Sequence, residues 1–153
     1  MKIEEVVKST TEYPIEKKTV LNIMYTQNVL AETFNEVLKP YDLSPEQFNV
    51  LRILRGQKGK PINMGDIQER MIAKTSNTTR LVDKLLLKDL VTREICSSNR
   101  RKMEILITKK GLEVLEKLDP SIVEHESRYA ANLSKEELEQ LNLLLEKFRT
   151  LTK

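Results

Sequence analysis

The stretch KTSNTTRLVDKLLLKDLVTREICSSNRRKMEILITKK, residues 74–110, changes its hydrophobic period once, and that change decides the fold. From about Lys74 to Lys88 the pattern is helical. Thr78, Leu81, Val82, Leu85 and Leu86 share one side, and Ser76, Asn77, Thr79, Arg80, Asp83 and Lys84 take the other side or its borders. Val91 to Ile95 and Met103 to Thr108 then read as strands, with Met103, Ile105 and Ile107 alternating with Glu104, Leu106 and Thr108. Between them Ser97-Ser98-Asn99-Arg100-Arg101-Lys102 is a polar turn carrying three consecutive cations. A helix with a polar outer face, followed at once by a hairpin with a basic tip, is the order a winged helix requires.

Reading outward, a shorter helix is expected from Asn63 to about Met71, with Asn63 as its cap and Ile67 and Met71 inward. Two helices a few residues apart, the second polar on its outer face, make a helix-turn-helix. Upstream, Ser44-Pro45-Glu46-Gln47 combines a serine cap, proline at the first helical position and glutamine at the third. That start opens a helix that buries Phe48, Leu51 and Leu54 and stops near Gly56 and Gly59-Lys60-Pro61. Before it, Val20, Ile23, Met24, Leu30, Phe34, Val37 and Leu38 keep helical spacing up to Pro40, behind a polar N-terminal arm. Downstream, Leu112, Leu115, Leu118, Ile122 and Val123 are spaced for one buried face, in a helix that Pro120 should bend or interrupt. Ser134-Lys135-Glu136-Glu137 is a capping box for a last helix. Its Leu138, Leu141, Leu145 and Phe148, with Leu144 and Leu151 beside them, either pack inside the monomer or join two monomers. The fold class is therefore mainly α with a small β-hairpin wing, in one domain spanning 1–153.

Charge is unevenly placed. Residues 70–110 hold eleven Lys or Arg and four Asp or Glu, whereas the remainder is net acidic. A basic middle between acidic ends favours a polyanion meeting one part of the chain. Apolar runs such as Leu85-Leu86-Leu87 are too short to span a bilayer, residues 1–14 lack a secretory apolar core, and one cysteine cannot form an internal disulfide. A cytoplasmic protein with no membrane association is expected. His125 is the only histidine, so neither a multi-histidine metal site nor a spacing-defined catalytic triad can be chosen. No cofactor, metal or enzymatic activity is expected.

Residues 43–54, Thr79-Arg80-Leu81-Val82-Asp83-Lys84-Leu85 with Leu90-Val91-Thr92-Arg93, and Asn99 through Gly111 resemble, in unbroken order, the MarR family of winged helix-turn-helix transcriptional regulators. Two positions depart from that family: Asn99 stands where Asp usually precedes the paired arginines, and Asp89 where Gly is favoured. The resemblance implies a homodimer. Residues 44–110 would form the DNA-binding lobe, residues 15–40 and 111–151 would supply dimerisation helices, and each lobe would meet half of a palindromic double-stranded operator. It also implies an effector, a small phenolic or lipophilic molecule held between lobe and dimer region, or else a reactive cysteine.

On this reading Ser76, Asn77, Thr79 and Arg80 are suited to base edges or phosphates, Lys74 and Thr75 to a phosphate at the helix start, and Lys84 to the same polar face. Arg100, Arg101 and Lys102 suit a narrow minor groove or its flanking phosphates. Met24, Tyr25, Asn28, Phe48 and Arg52 lie on the two helices that border the family's effector pocket. Two alternatives are a winged-helix adaptor that binds protein rather than DNA, and a redox-sensing regulator built on Cys96, which has Arg93, Arg100 and Arg101 nearby in sequence.

Overall fold

Five helices among the described residues begin where a side-chain oxygen takes an amide that the helix itself leaves without a partner. In the computed structural model, which describes residues 1–96 and 103–150, Ser44 Oγ accepts from Gln47 N at 3.1 Å while Gln47 Oε1 accepts from Ser44 N at 3.3 Å. Asn63 Oδ1 takes Asp66 N at 2.9 Å, Asn77 Oδ1 takes Arg80 N at 3.1 Å, and Thr108 Oγ1 takes Gly111 N at 3.0 Å. Ser134 and Glu137 repeat the reciprocal box at 3.2 and 2.7 Å. The five capped helices are α3 (Pro45–Gly56), α4 (Met64–Arg70), α5 (Thr78–Leu87), α6 (Lys109–Ala130) and α7 (Lys135–Phe148); α1 (Ile3–Val6) and α2 (Ile15–Leu38) precede them and start without a side-chain cap. The strands are β1 (Ile62–Asn63), β2 (Val91–Ile95) and β3 (Met103–Ile107).

The core lies where α3 crosses α5 and β3 and where α6 returns over α2. Leu38, Leu51, Ile67, Val82, Leu85, Ile105, Leu115 and Leu118 are sealed from solvent there. A forked ion pair, Arg55 Nη1 and Nη2 on Asp119 Oδ2 and Oδ1 at 2.8 and 3.0 Å, fastens α3 to α6. Tyr41 OH donates to Lys117 O at 3.2 Å in the same junction.

Several sequence expectations change. The helix expected from about Lys74 starts at Thr78, because Asn77 caps it; Lys74, Thr75 and Ser76 belong to the preceding turn, closed by Ser76 N to Ala73 O at 3.1 Å. The expected hairpin is a three-stranded antiparallel sheet of order β1-β3-β2, with Ile62 opposite Ile105 and Arg93 opposite Ile105 on the other side. A two-residue strand is too short to show a period of its own. The N-terminal arm is not merely polar: Ile3 is buried and Lys18 pairs with Glu4 at 3.0 Å. The Glu4 backbone amide, then Lys18, hold its carboxyl below the usual value. Pro120 does not interrupt α6; Glu116 and Pro120 are exposed, so water can serve the Glu116 carbonyl left without a helical donor. On that helix Leu115 and Leu118 are buried, but Leu112 and Val123 face outward.

Asp89, which stands where the family favours Gly, has a left-handed backbone with φ 57°. Leu90 N bonds Leu85 O and Asp89 N bonds Leu86 O, each at 3.0 Å, which closes α5 in a Schellman turn. That turn brings Leu90 O against α6. A Cβ on Gly111 would lie 2.4 Å from Leu90 O and 2.7 Å from Ile107 Cγ1, and Leu90 O is pinned by Thr108 N at 3.0 Å. Gly111→Ala should therefore destabilise the fold by about 1–3 kcal/mol, the cost of overpacking a site that cannot relax. Urea titration checks it, and an unchanged midpoint would show that α6 can shift.

Candidate nucleic-acid interface

On α5 the inward side chains Thr78, Val82 and Leu85 are buried, which leaves Thr79, Arg80, Asp83 and Lys84 facing solvent. Asp83 does not contribute a bare negative charge to that face: its Oδ1 is 2.7 Å from Arg93 Nη1 on β2. This exposed pair adds little stability, but it ties the sheet to the outer side of α5. Lys88 is also committed inward. Its Nζ lies 3.0 Å from Asp42 Oδ2 and 3.3 Å from Gln47 Oε1, and Lys110 Nζ donates to the Lys88 carbonyl at 2.9 Å. Among the described residues, Arg80 and Lys84 have no ion-pair partner. Their charges remain available to a ligand.

Thr75, Ser76, Asn77, Arg80 and Lys84 line one open depression of about 540 Å³, closed on its far side by Ser44, Glu46 and Gln47 at the start of α3. The structure thus brings five of the sequence-selected DNA residues to a single concave surface, and Thr79 is exposed on the same helix. Asn77 serves the helix through Oδ1, which leaves its amide nitrogen for an acceptor. Lys74 is exposed on the turn, its ammonium donating to the Glu69 carbonyl. Arg100, Arg101 and Lys102, with Asn99, lie outside the described residues.

The five effector candidates are placed differently. Met24, Tyr25 and Asn28 are exposed on α2 and Arg52 on α3, while Phe48 is a core residue that meets Phe34 edge to face at 5.5 Å. A second depression, of about 630 Å³, is bordered by Lys39, Leu43, Lys84, Leu87 and Lys88 and includes none of them. Spacing did not reveal a polar hub behind Phe34: Thr33 Oγ1 lies 3.0 Å from His125 Nε2 and 2.9 Å from Tyr129 OH. Its members sit 92 and 96 residues apart, so no local pattern connects them. Cys96 is buried at the end of β2, a setting that limits access of an oxidant.

A model of the MarR family matches residues 43–103. The chain is 32% identical over 111 residues to the HTH-type transcriptional regulator YkoM of Bacillus subtilis, covering 71% of this chain and 70% of that protein. It is 26% identical over 137 residues to the HTH-type transcriptional regulator MhqR of the same organism, covering 90% and 92%. Among solved structures, the Staphylococcus aureus MepR–DNA complex shares the fold with a TM-score of 0.75 at 24% identity, over 90% of this chain and 97% of that one.

Proposed function

The chain belongs to the MarR family, and on that premise we propose that it is a transcriptional repressor that binds a palindromic operator in double-stranded DNA as a homodimer. The observation that carries the reading is the outer face of α5, where Thr79, Arg80 and Lys84 are exposed beside the concave turn and, among the described residues, the two cations have no ion-pair partner. Base edges and phosphates supply the matching acceptors and negative charge. MepR, which shares the fold, was solved bound to DNA.

Within the single domain, residues 44–110 are the DNA-binding lobe and residues 15–40 and 111–151 the dimerisation helices. The exposed leucines of α7 support that division, since among the described residues none of that helix is buried. The effector is a small phenolic or lipophilic molecule taken up along α2 and α3, where Met24, Tyr25, Asn28 and Arg52 are accessible and Phe48 backs them from the core. The protein acts in the cytoplasm, where its operator is; among the described residues no helix is long and apolar enough to cross a membrane.

Selection of duplexes from a random pool with purified protein tests the reading directly: an inverted repeat should emerge. Arg101→Ala, in the basic segment that joins β2 to β3 in the sequence, should then weaken binding to selected and scrambled duplexes alike. Two wings per dimer should lower the slope of log K against log salt by roughly two, about 0.9 for each phosphate that the variant no longer neutralises. If no sequence is enriched and the slope does not move, the protein is not an operator-binding regulator.

A further inference from the structure

We propose that Gln68 is a positioning residue for operator reading, its side-chain amide clasping the turn between α4 and α5 and so setting where α5 begins. The inference rests on the DNA-binding function proposed above and adds a residue that touches no DNA in that reading.

Gln68 lies in the last turn of α4. Its Nε2 donates to Lys74 O at 2.6 Å, and its Oε1 accepts from the hydroxyl of Thr78, the first residue of α5. Thr78 is buried, so its hydroxyl has no ready alternative in water. A second side-chain amide holds the start of the turn, where Asn49 Oδ1 on α3 accepts from Ile72 N at 2.9 Å. Apart from the Ser76 N–Ala73 O bond, side chains rather than a backbone ladder therefore set the path from Met71 to Asn77. The turn carries Thr75, Ser76 and Asn77, and the helix it delivers carries Thr79, Arg80 and Lys84.

Only a carboxamide can hold both ends at once. A glutamate would accept from Thr78 but could not donate to Lys74 O, and a methionine of similar shape would do neither. A loosened helix start displaces base-edge contacts, which need hydrogen-bond geometry, more than phosphate contacts, which tolerate small shifts of a long cation. Loss of the clasp should appear as reduced discrimination rather than reduced general affinity. A purely structural clasp would lower stability and leave discrimination in place.

The test uses full-length wild type, Gln68→Met, Gln68→Glu, Thr78→Val and the Gln68→Met/Thr78→Val double variant. Affinities are measured for the duplex selected by wild type and for a scrambled duplex, together with thermal midpoints. Gln68→Met should reduce the ratio of selected to scrambled affinity by about tenfold, summed over two half-sites, with scrambled binding held within about twofold. Gln68→Glu should fall between it and wild type. The double variant should be no worse than Gln68→Met alone, because both changes remove the same link. An unchanged ratio, equal losses on both duplexes, or additive losses in the double variant would each overturn the proposal. If Gln68→Met does not fold, Gln68→Glu and Thr78→Val must each still lower the ratio. A wild type that makes no distinction between the duplexes overturns the DNA-binding reading itself. A discriminating wild type matched by Gln68→Met overturns this inference alone.

Discussion

Replacing Leu141 and Leu145 with Asp is expected to turn the homodimer into a monomer. In α7 no side chain is buried within the monomer: Leu141 is 42% exposed, Leu145 37% and Phe148 52%. At spacings of four and three these three share one side of the helix. Each leucine buried in a partner's seam is worth about 1.5–3 kcal/mol, and an unpaired carboxylate placed there adds a further cost of several kcal/mol. Since both positions are exposed in the monomer, the variant should fold with undiminished helical content. Sedimentation equilibrium should give the monomer mass, and operator affinity should fall by at least about a hundredfold once two half-sites are no longer held by one particle. Leu143→Asp is the control. Leu143 is 67% exposed and lies two positions away, on the opposite side of α7, so its change should leave the dimer intact. A persistent dimer in the double variant would place the interface elsewhere.

Arg80→Ala should produce the largest loss of sequence preference. Arg80 is exposed, and among the described residues its guanidinium serves no ion pair in the fold, so its removal should leave the thermal midpoint in place. A bidentate contact with a guanine edge is worth about 1–3 kcal/mol of discrimination, and a palindromic site counts it twice. The expected result is a loss of that size at each half-site and relaxed preference at one position in each. Arg80→Lys should not restore it, because an ammonium cannot present two parallel donors. Equal weakening on selected and scrambled duplexes, with a shallower salt dependence, would instead make Arg80 a phosphate contact.

The elements that spacing made legible are those whose signal is local. Ser44 with Gln47, Asn63, and Ser134 with Glu137 mark helix starts within four residues. The start of α5 lies later than spacing suggests because Lys74 to Asn77 hold no apolar residue that could mark a boundary, and Asn77 caps the helix by taking Arg80 N, while the Gln68 clasp that shapes the preceding turn comes from another helix. Interactions across elements left no trace in the sequence pattern. Asp83 with Arg93, Lys88 with Asp42, and Thr33 with His125 join separate segments, and the pairings of Asp83 and Lys88 change what the charge count means. Lys88 and Lys110 swell the basic middle of the sequence, yet the structure uses both within the fold.

The Arg55–Asp119 fork has a consequence for the spacing of the DNA site. It joins α3, against which α5 packs, to α6, which in the dimer proposed above would lead toward the seam. Two parallel hydrogen bonds resist rotation in a way that a single point contact does not. In the proposed dimer each reading head would thus keep a set angle to its partner, much as the jaws of a caliper are locked at one gauge. B-form DNA returns to the same face about every 10–10.5 base pairs, so one inserted pair at the centre of the site turns one half away by roughly a tenth of a revolution. A dimer locked in this way must twist the duplex or release one half-site, which makes helical phasing as much a part of its recognition as the bases themselves.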